Sequence, residues 1–285
     1  MLKINNLSKS FGKKKALDDI NFVIEPGEFV FLIGESGAGK TTLLRLITRE
    51  LLPDSGEILF EEKDITKLKR KEVPGLRQRI GVVFQDFKVL PERTLSENIS
   101  VALAVCGVPQ VEWHDRVGQV LELVNLKDRA KLFPSQLSGG ELQRAALARA
   151  LVINPEVILA DEPTGNLDWD TAESIVDLFK TINSEGKTVI MATHNKIIVE
   201  KLKQRVIELS AGKLIKDTQV KQKIKVEVRD KDDNEDEVKV KDESEDKSSV
   251  NTKDNISDDL SENREHNDDK NGKKVNISDK LDSRE

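Results

Sequence analysis

Five apolar residues, Phe29 to Ile33, run straight into Gly34-Glu35-Ser36-Gly37-Ala38-Gly39-Lys40-Thr41, and Leu43, Leu44, Leu46, Ile47 and Leu51 then recur at helical spacing until Pro53 and Gly56. Few folds admit this order. An unbroken apolar run is what a parallel strand buried on both faces requires. G-x-x-x-x-G-K-[ST] between such a strand and a helix forms a loop whose backbone N–H groups turn inward around phosphates, and the helix N-terminus adds a partial positive charge. Lys40 can then reach the β- and γ-phosphates of a nucleotide, while Thr41 offers a hydroxyl to Mg²⁺. The predicted cradle is Gly34, Glu35, Ser36, Gly37, Ala38, Gly39, Lys40, Thr41 and Thr42.

The same grammar recurs three times: Ile80 to Phe84 ends at Gln85, Val157 to Ala160 at Asp161-Glu162, and Thr188 to Thr193 at His194. In open α/β sheets ligands bind outside the carboxyl ends of the strands, so these endings meet at one site if the strands are neighbours. Asp161 then becomes a second Mg²⁺ contact. A turn at the strand end leaves Glu162 to polarise the attacking water as general base, and the place of His194 favours a γ-phosphate contact. Two further runs, Leu2 to Leu7 and Ile20 to Ile24, read as strands flanking a charged turn at Gly12 to Lys15.

Between Gln85 and Asp161 the periodicity is mostly helical, including Glu112 to Val124 and Gly140 to Val152, which predicts a helical subdomain inserted at about 88–152. At its last helix Ser138-Gly139-Gly140-Glu141 forms an S-x-x-E capping box. Two glycines inside that cap leave N–H groups approachable at a positive helix end, which is an anion site. It cannot easily fold back onto its own phosphate loop, so a second copy facing the first is the economical arrangement.

Charge is segregated. Residues 221–285 hold 15 Lys+Arg and 21 Asp+Glu, which accounts for the whole net charge of −6; the first 220 residues hold 31 of each sign. A neutral body argues against a nucleic-acid protein held by a general basic field. The single Cys106 excludes a disulfide framework. The start has no apolar signal segment, and the apolar stretch Ile99 to Cys106 is far short of a membrane span. A soluble, cytoplasmic protein is expected. Beyond Asp230 the composition is that of a disordered chain, so 219–285 is expected to be a disordered acidic tail, a solvated spacer or a protein-binding segment.

Taken together, Gly34 to Thr41, Gln85, Leu137 to Glu141, Val157 to Glu162, Gly165 to Asp168 and His194 resemble the ABC ATPase family, in its order, over residues 1–218. The resemblance implies an α/β fold: a parallel-sheet P-loop core of the RecA-like kind, an N-terminal antiparallel β subdomain and an inserted helical subdomain. It implies ATP and Mg²⁺ as cofactors, Phe11 stacked on adenine, Gln85 linking Mg²⁺ to a membrane partner and Asp168 between two subunits. Ser138 and Gly140 would contact the γ-phosphate held by the other subunit.

Within the family, Val83 to Thr94 resembles the FtsE-type cell-division branch, whose integral membrane partner is of the FtsX type. That implies a homodimeric ATPase, peripheral on the inner face of the membrane, activating cell-wall hydrolases; a protein-binding tail would then meet division-site proteins. Ala160 to Asp168 is shared with lipoprotein-releasing and macrolide-export ATPases, an alternative, as is an ATP-gated switch with incidental hydrolysis. Leu142 stands where Gln is usual, Asn195 where Asp is usual, and no Tyr is available for the adenine platform.

Overall fold

The computed structural model describes residues 1–219. The expected tail lies outside the described residues, apart from Gln219.

The chain opens with two long antiparallel strands, β1 (Leu2–Phe11) and β2 (Lys14–Ile24). Both run further than the apolar alternation indicates, because β1 shifts register against β2 after Ile4, Leu7 and Lys9. Each shift breaks the period-2 pattern while the ladder continues. There follow β3 (Phe29–Ile33), α1 (Lys40–Ile47), β4 (Ser55–Phe60), β5 (Lys63–Asp64), α2 (Val73–Gln78) and β6 (Ile80–Val83). Three helices come next, α3 (Leu95–Val105), α4 (Trp113–Leu123) and α5 (Gly139–Leu151). The chain then returns to the sheet through β7 (Val157–Asp161), α6 (Trp169–Ser184), β8 (Thr188–Thr193), α7 (Lys196–Leu202), β9 (Arg205–Ser210) and β10 (Lys213–Asp217).

Two sheets result. One is antiparallel, in the order β2-β1-β4-β5; the other runs β10-β9-β3-β8-β7-β6, parallel except for the edge strand β10. Alternate residues of the parallel strands feed two cores. Val30, Leu32, Leu159, Ile190 and Ala192 join α1 and the antiparallel sheet, while Phe29, Phe31, Ile158, Val189 and Met191 face α5, α6 and α7. Burial on both faces is why these strands appear in the sequence as continuous apolar runs.

The three helices between β6 and β7 form a third core from Leu95, Ile99, Leu103, Val117 and Leu121. Helix α5 belongs to both neighbours, turning Leu147, Ala150 and Leu151 to the sheet and Ala145, Ala148 and Val152 to α3 and α4. It is the strut that fixes the helical insert to the site. Among the described residues no helix is long and apolar enough to cross a membrane.

Candidate functional site

Four strands end on the site, and they are consecutive neighbours in the order β3-β8-β7-β6. The condition for their endings to converge is therefore met. The loop after β3 is pressed against the rest of the fold. Gly39, at φ 111°, caps α1 where an added Cβ would lie 2.5 Å from the Ala16 carbonyl oxygen and 2.7 Å from Leu17 Cδ2. No other residue fits there without displacing β2.

Lys40 is only 7% exposed, and its Nζ donates to the Gly34 carbonyl at 2.7 Å and the Glu35 carbonyl at 3.2 Å. It also lies 3.5 Å from Glu162 Oε1. Glu162 makes the last bond of the β7–β8 ladder, its N–H donating to the Ala192 carbonyl at 2.9 Å, and itself takes a left-handed conformation, φ 49°. A non-glycine residue in that region costs about 1–2 kcal/mol, and the strain turns the carboxylate towards the phosphate loop instead of across the sheet. Its Oε2 lies 2.9 Å from His194 Nδ1 and accepts from the His194 backbone N–H at 3.3 Å. Carboxylate, ammonium and imidazole thus share one corner.

Asp161 is one residue back, on β7. Burial pushes its carboxyl above the usual aspartate value, opposed by a hydrogen bond from the Thr41 side chain, and its Oδ1 is buried without a partner. An orphaned anionic oxygen beside a threonine hydroxyl suits a hard cation. Among the described residues no cluster of three His, Cys, Asp or Glu could hold a metal alone. Gln85 reaches the same place: its side-chain Nε2 donates to Asn166 Oδ1 at 3.3 Å, and Asn166 Nδ2 donates back to the Gln85 backbone carbonyl at 3.4 Å.

A cavity of about 670 Å³ is lined by Phe11, Lys14, Glu35, Ser36, Gly37, Gly39, Lys40, Thr41, Thr42, Gln85, Glu162 and His194. That volume suits a nucleotide. The Phe11 ring, half exposed, stands at one end with Lys9 Nζ 5.7 Å from its centroid. Lys14, the first residue of β2, joins the lining, a contribution that the run Lys13-Lys14-Lys15 signals only as local positive charge. Asp161 lies instead in an adjoining groove of about 760 Å³ that shares Thr41 and Gln85 and is also lined by Arg45, Arg77, Phe84 and Lys88.

Ser138, Gly139, Gly140, Glu141 and Asp168 do not line the cavity. The capping box is present: Glu141 Oε2 accepts from the Ser138 N–H at 2.8 Å, and Ser138 Oγ accepts from the Glu141 N–H at 3.3 Å. That backbone donor holds the Glu141 carboxyl below its usual range. Asp168 caps α6, accepting from the Thr171 N–H at 3.0 Å, and the same bond lowers its pKa. Ser138 and Asp168 therefore stand at helix starts outside their own chain's cavity.

The model of the ABC transporter family matches residues 17–165. This chain belongs to the ABC transporter family. The cell division ATP-binding protein FtsE of Bacillus subtilis is 51% identical over 203 residues, covering 71% of this chain and 89% of that protein. FtsE of Mycobacterium tuberculosis is 48% identical over 221 residues, 77% of this chain and 96% of that one. The chain is thus an ABC ATPase of the FtsE type. Among solved structures, a dimeric ATP-binding cassette in a post-hydrolysis state, bound to ADP and Pi, superposes with a TM-score of 0.69 at 36% identity, covering 76% of this chain and 97% of that one.

Proposed function

We propose that this ABC ATPase works as a head-to-tail pair of identical chains, hydrolyses ATP at two shared sites and drives an FtsX-like integral membrane subunit in cell division. Residues 1–218 form the ATPase domain in this reading. The observation that carries it is the corner where Glu162, Lys40 and His194 meet at the mouth of a phosphate loop.

Phe11 stacks on the adenine, and the N–H groups of Gly34 to Thr42 receive the phosphates. Arrival of the γ-phosphate gives Lys40 a stronger anionic partner than the two carbonyls it now holds. Lys40 then withdraws from Glu162, which is freed to take a proton from the attacking water. His194, anchored to Glu162, donates to a γ-phosphate oxygen. Thr41, Asp161 and Gln85 would hold Mg²⁺, which when bound neutralises charge building on the phosphate oxygens.

The open side of the cavity is closed by the second copy, whose Ser138, Gly139, Gly140 and Glu141 bring helix-start N–H groups to the γ-phosphate and whose Asp168 lies across the interface. Support comes from the exclusion of those residues from their own chain's cavity and from the paired state of the structurally similar cassette. The groove leading to Gln85 is the surface offered to the membrane subunit, so its occupant would act on the metal through Gln85. In this reading the protein sits on the inner face of the membrane through its partner.

Glu162→Gln tests the assignment. It should keep ATP affinity, lose about 10²–10⁴-fold in turnover and accumulate an ATP-bound dimer in size-exclusion chromatography. Turnover at the wild-type rate would refute Glu162 as the base.

A further inference from the structure

Phe87 and Lys88, two and three residues beyond Gln85, are consecutive non-glycine residues in the left-handed region, at φ 57° and 51°. Each carries the crowding of its own Cβ against the following carbonyl, so the turn unwinds unless something holds it. Arg149 of α5 does so. Its Nη2 donates to the Phe87 carbonyl at 2.9 Å and its Nη1 to the Lys88 carbonyl at 2.6 Å.

Nothing else accounts for that guanidinium. It is half-buried, burial pushes its pKa below the ordinary arginine value, and among the described residues no carboxylate answers its charge. Upstream, the fully buried Gln143 of the same helix donates to the Phe84 carbonyl at 3.5 Å. Downstream, the Asn98 side chain bonds both the N–H and the carbonyl of Leu90. Gln85, exposed like Asp86, Lys88 and Leu90, therefore lies in a segment tied down on both sides, and the strained part of that segment is held from α5 by a charged, forked donor.

We propose that Arg149 is a positioning residue for catalysis: by clamping the left-handed turn at Phe87 and Lys88 from α5, it fixes where Gln85 presents its amide to the nucleotide cavity. The inference rests on the reading of Gln85 as a metal-site group.

Steady-state ATPase kinetics and ATP affinity of the full chain test it. Arg149→Ala and Arg149→Lys should each lower kcat about tenfold, the loss of a charge-assisted hydrogen bond, with ATP affinity unchanged. In a Gln85→Ala background neither should cause further loss. Lys88→Gly should restore Arg149→Lys towards wild type, because glycine holds a left-handed turn without a clamp. A lysine keeps the charge but cannot fork to two carbonyls, so it serves if the alanine variant does not fold. Multiplying losses in the double variant, or no rescue by Lys88→Gly, would overturn the inference alone. Normal turnover by Gln85→Ala would remove the metal-site reading and the inference with it.

Discussion

Asp161 holds an ionisable oxygen in the protein interior with nothing to bond it. Because burial raises its pKa above the unfolded-chain value, the native state keeps this proton to higher pH than the unfolded state does. The group's contribution to stability therefore falls as pH climbs through that interval and is least favourable once the carboxylate is ionised. Asp161→Asn should accordingly raise the melting temperature of the nucleotide-free chain at pH 7 by about 2 °C, a modest gain because the site still meets solvent. The difference should shrink as pH is lowered and the wild-type carboxyl takes up its proton. Melts across a pH series decide it, and an Asn variant that melts lower at pH 7 would show the carboxylate already satisfied. The same change should abolish Mg²⁺-dependent turnover, an exchange of function for stability. The eight residues from Gly34 to Thr41 were legible because their motif is local and backbone-driven. The tie of Lys40 to Glu162 was not, since it depends on how the end of β7 lies beside β3's loop.

Helix α5 shows what governs an element. Its capping box at Ser138 and Glu141 was legible, and the same rule would have found α3, whose Thr94 and Glu97 make an equivalent box. What no local pattern reveals is why Gly140 is a glycine. An added Cβ would lie 2.4 Å from Thr171 Cγ2, so the start of α5 touches α6 closely enough to leave no space for a methyl group. Gly140→Ala should cost about 1–3 kcal/mol by overpacking, measured as a lower denaturant midpoint. Thr171→Ser, which removes the offending methyl, should recover most of the loss in the double variant. Additive losses would mean that the helix start tolerates no side chain for reasons other than Thr171. Strands buried on both faces announced themselves, whereas β4, β9 and β10 mix exposed and buried positions and left no such run.

At the scale of the whole molecule the sequence revealed which strands carry functional endings but not their order, because parallel pairings join residues distant in the chain, such as Phe29 with Val189 and Ile80 with Val157. The order β3-β8-β7-β6 is what turns four separate endings into one site. A single chain still presents that site with an open side, and Trp169, 42% exposed directly after Asp168, stands at the proposed seam. Monomers have little reason to leave a large aromatic in water beside a capping carboxylate, whereas aromatic residues are enriched where proteins pair. The other tryptophan, Trp113, donates its indole N–H to the Val108 carbonyl at 2.9 Å within the helical insert. Replacing it with Phe leaves Trp169 as the sole emitter. In a Glu162→Gln, Trp113→Phe chain, ATP should shift the emission to the blue as Trp169 is covered, with a midpoint that depends on protein concentration. ADP should leave the spectrum of the monomer. A shift that ignores protein concentration would assign the change to rearrangement within one chain and would remove Trp169 from the seam.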